Sequence, residues 1–203
     1  MNNFQPDYSL DLLSLQLDEY ESYILSKELY WPLSHRAPAG SRPFLKLTTG
    51  NLMLNINEIT VNLDLLNESQ EQRYFQLILT WDALRQKWRS TIQEKALIEL
   101  RSRVNLWSAY IDDLKDKKDR GHSYSFEVRF RVICALLMEL AAGRDEISEY
   151  RKKLVELDQE LRIIFQPGPF LWQNRLREMY PADLYWYLYG EPQVEDEDEE
   201  EEE

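Results

Sequence analysis

Cysteine is all but absent. Cys134 stands alone, so no disulfide can form within the chain, and the expected setting is a reducing compartment, the cytoplasm. It lies in the apolar run "VICALLMEL", where a cysteine reads as a small buried hydrophobe. Glycine is sparse too, with six in 203 residues and no two closer than ten apart. That excludes a glycine-rich phosphate loop, which needs glycines a few residues apart so that backbone approaches phosphate. The two histidines, His35 and His122, are far apart in sequence. No Cys-x-x-Cys, His-x-x-x-His or Glu-x-x-His occurs, so the usual zinc and di-iron patterns are missing. Asp119 and His122 have a ligand-like gap, but Gly121 places them in a loop. The Tyr23/Lys27 pair reads as helix surface, and Asp112–Asp113 as a solvated helix end. No Gly-x-Ser-x-Gly elbow is present. The expectation is therefore no metal, no cofactor and no catalytic residues.

Long hydrophobic runs are also lacking. No stretch approaches the ~20 apolar residues that span a bilayer, so no membrane partner is expected. The start, "MNNFQPDYSLDLL", has neither the basic region nor the unbroken apolar core of a signal peptide.

Charge of one sign dominates, but locally. The chain has 37 acids and 24 bases. Residues 191–203 hold ten of the acids and no base, leaving 27 against 24 in residues 1–190. Such a segment repels itself and buries nothing, so 191–203 is expected to be a disordered acidic tail. Without a basic footprint, direct nucleic-acid binding is not expected.

What is present is helical periodicity over residues 1–190, read as a single helical domain. Leu13, Leu17, Tyr20 and Ile24 keep one-face spacing over 9–29, with Asp7 or Ser9 as cap. Residues 32–49, "PLSHRAPAGSRPFLKLTT", form a long Pro/Gly loop of the kind that is commonly functional or flexible. Residues 52–66 fit either two strands turning at Asn57–Glu58 or a helix on Leu52, Ile56, Ile59 and Leu63. The balance favours helix, because neither turn residue is glycine. Between Gly50 and Gly121 there is no glycine or proline, and 69–120 reads as one long helix capped at Ser69. Its stripe changes phase between Trp88 and Leu97, which predicts an arm or a kink near Ser90–Lys95. Unbroken, it would be about 75 Å long. Residues 124–132 alternate like a strand before a buried helix over Phe130–Leu140. A further amphipathic helix follows Gly143 and ends at "QPGPF". The fold expected is all-α: an antiparallel bundle of four to five helices with an aromatic C-terminal segment.

That segment, 165–189, carries eight of the chain's 25 aromatics. Arginines near exposed aromatics bind anions or acidic partners. The candidate partner-binding residues are accordingly Trp31, His35, Arg36 and Arg42 in and beside the loop, and Trp172, Arg175, Arg177, Tyr185 and Trp186. The expected function is a non-catalytic interaction or scaffold protein, with a protein partner or self-association. Two alternatives stay open. One is an acidic-tail chaperone or nucleic-acid mimic. The other is an enzyme with a site between loop 32–49 and the aromatic segment.

Overall fold

The computed structural model describes residues 4–116, 118–119 and 121–193, and these are mostly helical. Helix α1, Pro6–Leu25, starts on Pro6, whose fixed φ suits the first turn. Gln5 occupies the cap position with no side-chain bond, so the expected Asp7 or Ser9 cap is replaced by proline. Leu13, Leu17, Tyr20 and Ile24 are all buried. The helix stops at Leu25 rather than 29. Ser26 Oγ donates to the Tyr23 carbonyl, and Lys95 Nζ donates to the carbonyls of Ser26 and Glu28.

Helix α2, Thr49–Thr60, carries Asn57 and Glu58 inside it. The two-strand alternative for 52–66 is thereby removed. Thr48 caps it, its side chain accepting from Asn51 N. Leu52 and Ile59 point into the core.

The long helix expected over 69–120 is two helices, α3 (Glu68–Lys87) and α4 (Arg89–Lys115). Asn67 and Gln70 form the capping box in place of Ser69. The break is a single residue, Trp88, with φ −116° and ψ 25°. It falls just ahead of the expected window, where the apolar stripe changes phase. No arm protrudes, because α3 lies along α1 through Asp7–Gln70, Asp11–Arg73 and Glu21–Lys87. These pairs ascend together in both helices, so α1 and α3 run parallel. Antiparallel packing throughout is therefore corrected here: α2 reverses against α1 (Tyr20 meets Thr49, Ser9 meets Asn55), and α3 reverses again. Helix α4 ends at Lys115, before Gly121, because Leu114 is the last apolar residue of its stripe.

Tyr124, Val128 and Val132 are each fully buried at i, i+4 spacing, so the strand-like alternation yields to helix: a short turn α5, Tyr124–Glu127, then α6, Arg129–Leu140. Helix α7 is Ile147–Ile164.

The described residues are mostly helical, as expected, with one short two-stranded sheet added at the C-terminus. Strand β1, Phe165–Phe170, pairs antiparallel with β2, Tyr189–Pro192. Pro167 and Pro169 stop a helix and favour extended backbone. Gly190 has φ 144°, and a Cβ there would sit 2.1 Å from the Gln166 carbonyl oxygen, so only glycine lets the strands meet. Gln193 N continues the contact, donating to Ile164 O at 2.7 Å. Residues 191–193 thus belong to the fold and not to a tail. The rest of the expected disordered tail, 194–203, lies outside the described residues.

Two clusters make up the core. One joins α1, α2, α3 and Ile92; the other joins α4, α6, α7 and the aromatic segment.

Candidate functional site

Loop 32–46 is closed at its base by reciprocal backbone bonds between Trp31 and Leu47, at 3.1 and 2.8 Å. Its far side is held down by Tyr8 Oη, which donates to Pro43 O, and by Asn51 Nδ2, which donates to Lys46 O. The Arg42 guanidinium lies 4.8 Å from the Tyr8 ring centre, with Phe44 on the same ring at 5.1 Å. A closed loop with paired ends is a shaped wall rather than a free connection.

Opposite this wall stands the aromatic segment. Trp172 Nε1 donates to Ser125 O at 3.2 Å, and the Trp172 ring meets Tyr180 edge-on at 5.5 Å. Tyr180 is buried and accepts from Asn57 Nδ2 at 3.0 Å. Between the walls lies a groove of about 580 Å³, within the range of ligand sites. Its floor comes from one face of α1 (Tyr8, Leu12, Gln16) and one face of α2 (Asn51, Leu54, Asn55, Glu58). The i, i+3/i+4 spacing within each set puts them on one side of their helix. Phe126, Arg129 and Leu176 complete it. Two large apolar side chains at its edge stay exposed, Phe126 at 59% and Leu45 at 47%.

A polar row crosses this apolar floor. Asn55 Nδ2 donates to Gln16 Oε1 at 3.2 Å and to Ser9 O at 3.1 Å. Arg129 Nη2 donates to Asn51 Oδ1 at 3.2 Å. Glu58 faces Arg42 at 3.7 Å. Burial pushes the Glu58 carboxyl above its usual range, with Arg42 opposing only in part. Burial likewise raises Tyr8, and burial together with Arg103 lowers Arg129.

Of the residues expected from sequence, Arg42 and Trp172 meet at this groove. Trp31 and His35 belong to a separate cluster, in which Glu19 accepts from Trp31 Nε1, Ser34 N and Ser34 Oγ, and Ser34 bonds His35 Nδ1. Burial works against the Glu19 anion, but the bonds from Ser34 and Trp31 outweigh it and lower its pKa. Arg36 is exposed and, among the described residues, pairs with no carboxylate. Arg175 is tied to Asp64, Arg177 lies over Tyr189, and Trp186 is covered by Arg162 at 3.8 Å. Tyr185 lines a second cavity of about 740 Å³ with Arg85, Arg89 and Glu139. The expected set is therefore dispersed.

The sequence reading missed Gln16, Asn55 and Arg129. Their signal was a polar residue on an apolar stripe: Gln16 beside Leu13 and Leu17, Asn55 between Leu52 and Ile59, and Arg129 in "FEVRFRVI". It missed the buried pair Glu99–Arg103 for the same reason.

Among the described residues, no three His, Cys, Asp or Glu side chains are grouped as a metal site requires, and no helix is long and apolar enough to cross a membrane. Comparison with known proteins finds no matching family model, no similar curated sequence and no similar solved structure.

Proposed function

We propose that this chain is a non-catalytic interaction protein: a helical bundle that holds one preformed groove and takes an apolar segment of a protein partner there. The observation that carries this reading is the exposure of Phe126 and Leu45 beside a concavity walled by Leu12, Phe44, Leu54, Trp172 and Leu176. Large apolar groups left in water next to an apolar hollow mark a contact surface. Its exposed edge residues Phe126 and Leu45 have apolar area to cover, which suits a polypeptide better than an enclosed small molecule. The larger cavity beside Tyr185 is edged by Arg85, Arg89, Asp82 and Glu139, which water solvates well, and it lacks this argument.

An enzyme in the same groove is the second reading. Glu58, with its carboxyl raised by burial, is the group there with the chemistry of a general base. Its neighbour Arg42 works against that role by lowering the basicity that burial confers.

The test replaces Phe126 with a photo-crosslinking amino acid in the producing cell, with Ile163 on α7, 83% exposed, as the control position. The expected result is a discrete adduct from position 126 that position 163 does not give and that Leu45→Asp abolishes. Equal patterns from both positions, or none, would remove the groove as the working surface. A product of twice the monomer mass would assign the groove to a second copy of this chain.

A further inference from the structure

We infer that the segment taken by the groove carries a carboxylate beside its apolar side chains, and that this carboxylate seats on Arg129. The inference rests on the reading of the groove as a peptide site.

Arg129 is a half-buried cation at the groove. Among the described residues no carboxylate lies within ion-pair reach of it, and its one hydrogen bond goes to the neutral amide of Asn51. Its Nε is buried without a partner, and the guanidinium lies 5.1 Å from the Phe126 ring centre. The nearby charges are Arg103, which repels it, and Glu127, which attracts it without contact. Buried polar groups are rarely left unpaired. A buried cation without an anion is costlier still.

An incoming carboxylate, charged and acceptor-only, is the group that answers a guanidinium left without an anion at the groove. Arginine also binds carboxylates in a two-pronged geometry.

The groove is polar along its length. Asn51 and Glu58 are seven residues apart on α2, hence about 10 Å. The anion of the ligand belongs at the Asn51–Arg129 end, away from Glu58, which already has Arg42. The chain's own residues 194–203 are a poor occupant. They supply acid in plenty but a single apolar residue, Val194, against walls that are mostly apolar.

The test selects binders from a random linear peptide library displayed on phage, using the full chain as bait. Chosen peptides, and copies with each acid changed to its amide, are then titrated by fluorescence anisotropy. The expected outcome is a shared acidic position next to apolar residues. Its amide copy and Arg129→Met should each weaken binding by about tenfold or more. The two losses should not add, and Arg129→Lys should restore part of the affinity. Selected peptides without a shared acid, or with equal affinity for Arg129→Met, would overturn the carboxylate while leaving the groove in place. Binding unchanged by Phe126→Ser, an exposed position that the fold does not need, would overturn the groove itself. A selection that yields no binder would overturn both.

Discussion

The Glu99 carboxylate accepts the backbone N–H of Gly50 at 3.0 Å. Glu99 is fully buried on α4, and Gly50 is in the first turn of α2, so an acid sits where the free N–H groups and positive end of that helix are. The same carboxylate takes Arg103 Nε and Nη2 at 3.2 and 3.0 Å, and Arg103 Nη2 also reaches Thr48 Oγ1. The guanidinium lies near the rings of Tyr30 and Phe130. This network fixes the start of α2, and through it the face that carries Asn51 and Asn55 into the groove.

Glu99→Ala should therefore destabilise by roughly 3–5 kcal/mol, because it leaves Arg103 buried without its anion. The double replacement Glu99→Leu with Arg103→Met should cost far less than Glu99→Ala alone. Urea denaturation of the two variants checks this. Equal losses would mean that the pair is not coupled.

Glu58 gives a pH-dependent expectation. Its folded pKa is raised above 4.5, chiefly by burial. A carboxyl raised in the folded state destabilises the fold while ionised. That cost is present above the folded pKa and is relieved as pH falls through it towards the unfolded value. Glu58→Gln should therefore be more stable than the native chain at pH 7, and the difference should shrink on acidification. Melting temperatures of both proteins from neutral to mildly acidic pH measure it. A Glu58→Gln chain less stable than the native one at pH 7 would mean that Arg42 outweighs burial.

The stripe Leu97, Leu100, Val104, Trp107, Ile111 and Leu114 on α4 is buried throughout. Trp107→Ala should cost about 3–5 kcal/mol and Leu137→Ala about 2–5 kcal/mol, as expected for truncating large core side chains. Leu79→Ala on the outer face of α3, 61% exposed, should stay within about 0.5 kcal/mol. Chemical denaturation of the three variants distinguishes core from surface.

These contrasts locate what could be read from sequence. Apolar periodicity placed α1, α4, α6 and α7, because each buries its stripe against a neighbour whatever that neighbour is. The phase change between Trp88 and Leu97 announced an interruption near Ser90–Lys95 for the same local reason, and the α3–α4 break falls just ahead of it, at Trp88. The β1–β2 pairing was not legible: Phe165 and Pro192 are far apart in sequence, and their meeting depends on Gly190 fitting against Gln166. At the groove, Arg42 and Trp172 could be named because arginine and tryptophan in a loop are conspicuous. Gln16, Asn55 and Arg129 could not, because a polar residue on an apolar stripe acquires meaning only when its partner, or the lack of one, is known.

Truncation at the C-terminus separates fold from tail. Composition alone placed the boundary at residue 191, and on that basis removing 191–203 would leave the melting temperature unchanged. The structure moves the boundary. Pro192 pairs with Phe165, Glu191 pairs with Gln166, and Gln193 N bonds Ile164 O. Pro192 also packs on Gly121, where an added Cβ would lie 3.0 Å from the Pro192 carbonyl oxygen. Removing 191–203 should therefore strip the last residues of β2 and lower the melting temperature by several degrees. Removing only 194–203 deletes nine acids and Val194. This should leave the melting temperature nearly unchanged, because so charged a segment has little apolar surface to bury. The comparison is thermal denaturation of the two truncations beside the full chain. Equal melting temperatures for all three would show that the 191–193 contacts contribute nothing. An equal fall in both truncations would show that residues beyond Gln193 are themselves docked on the fold.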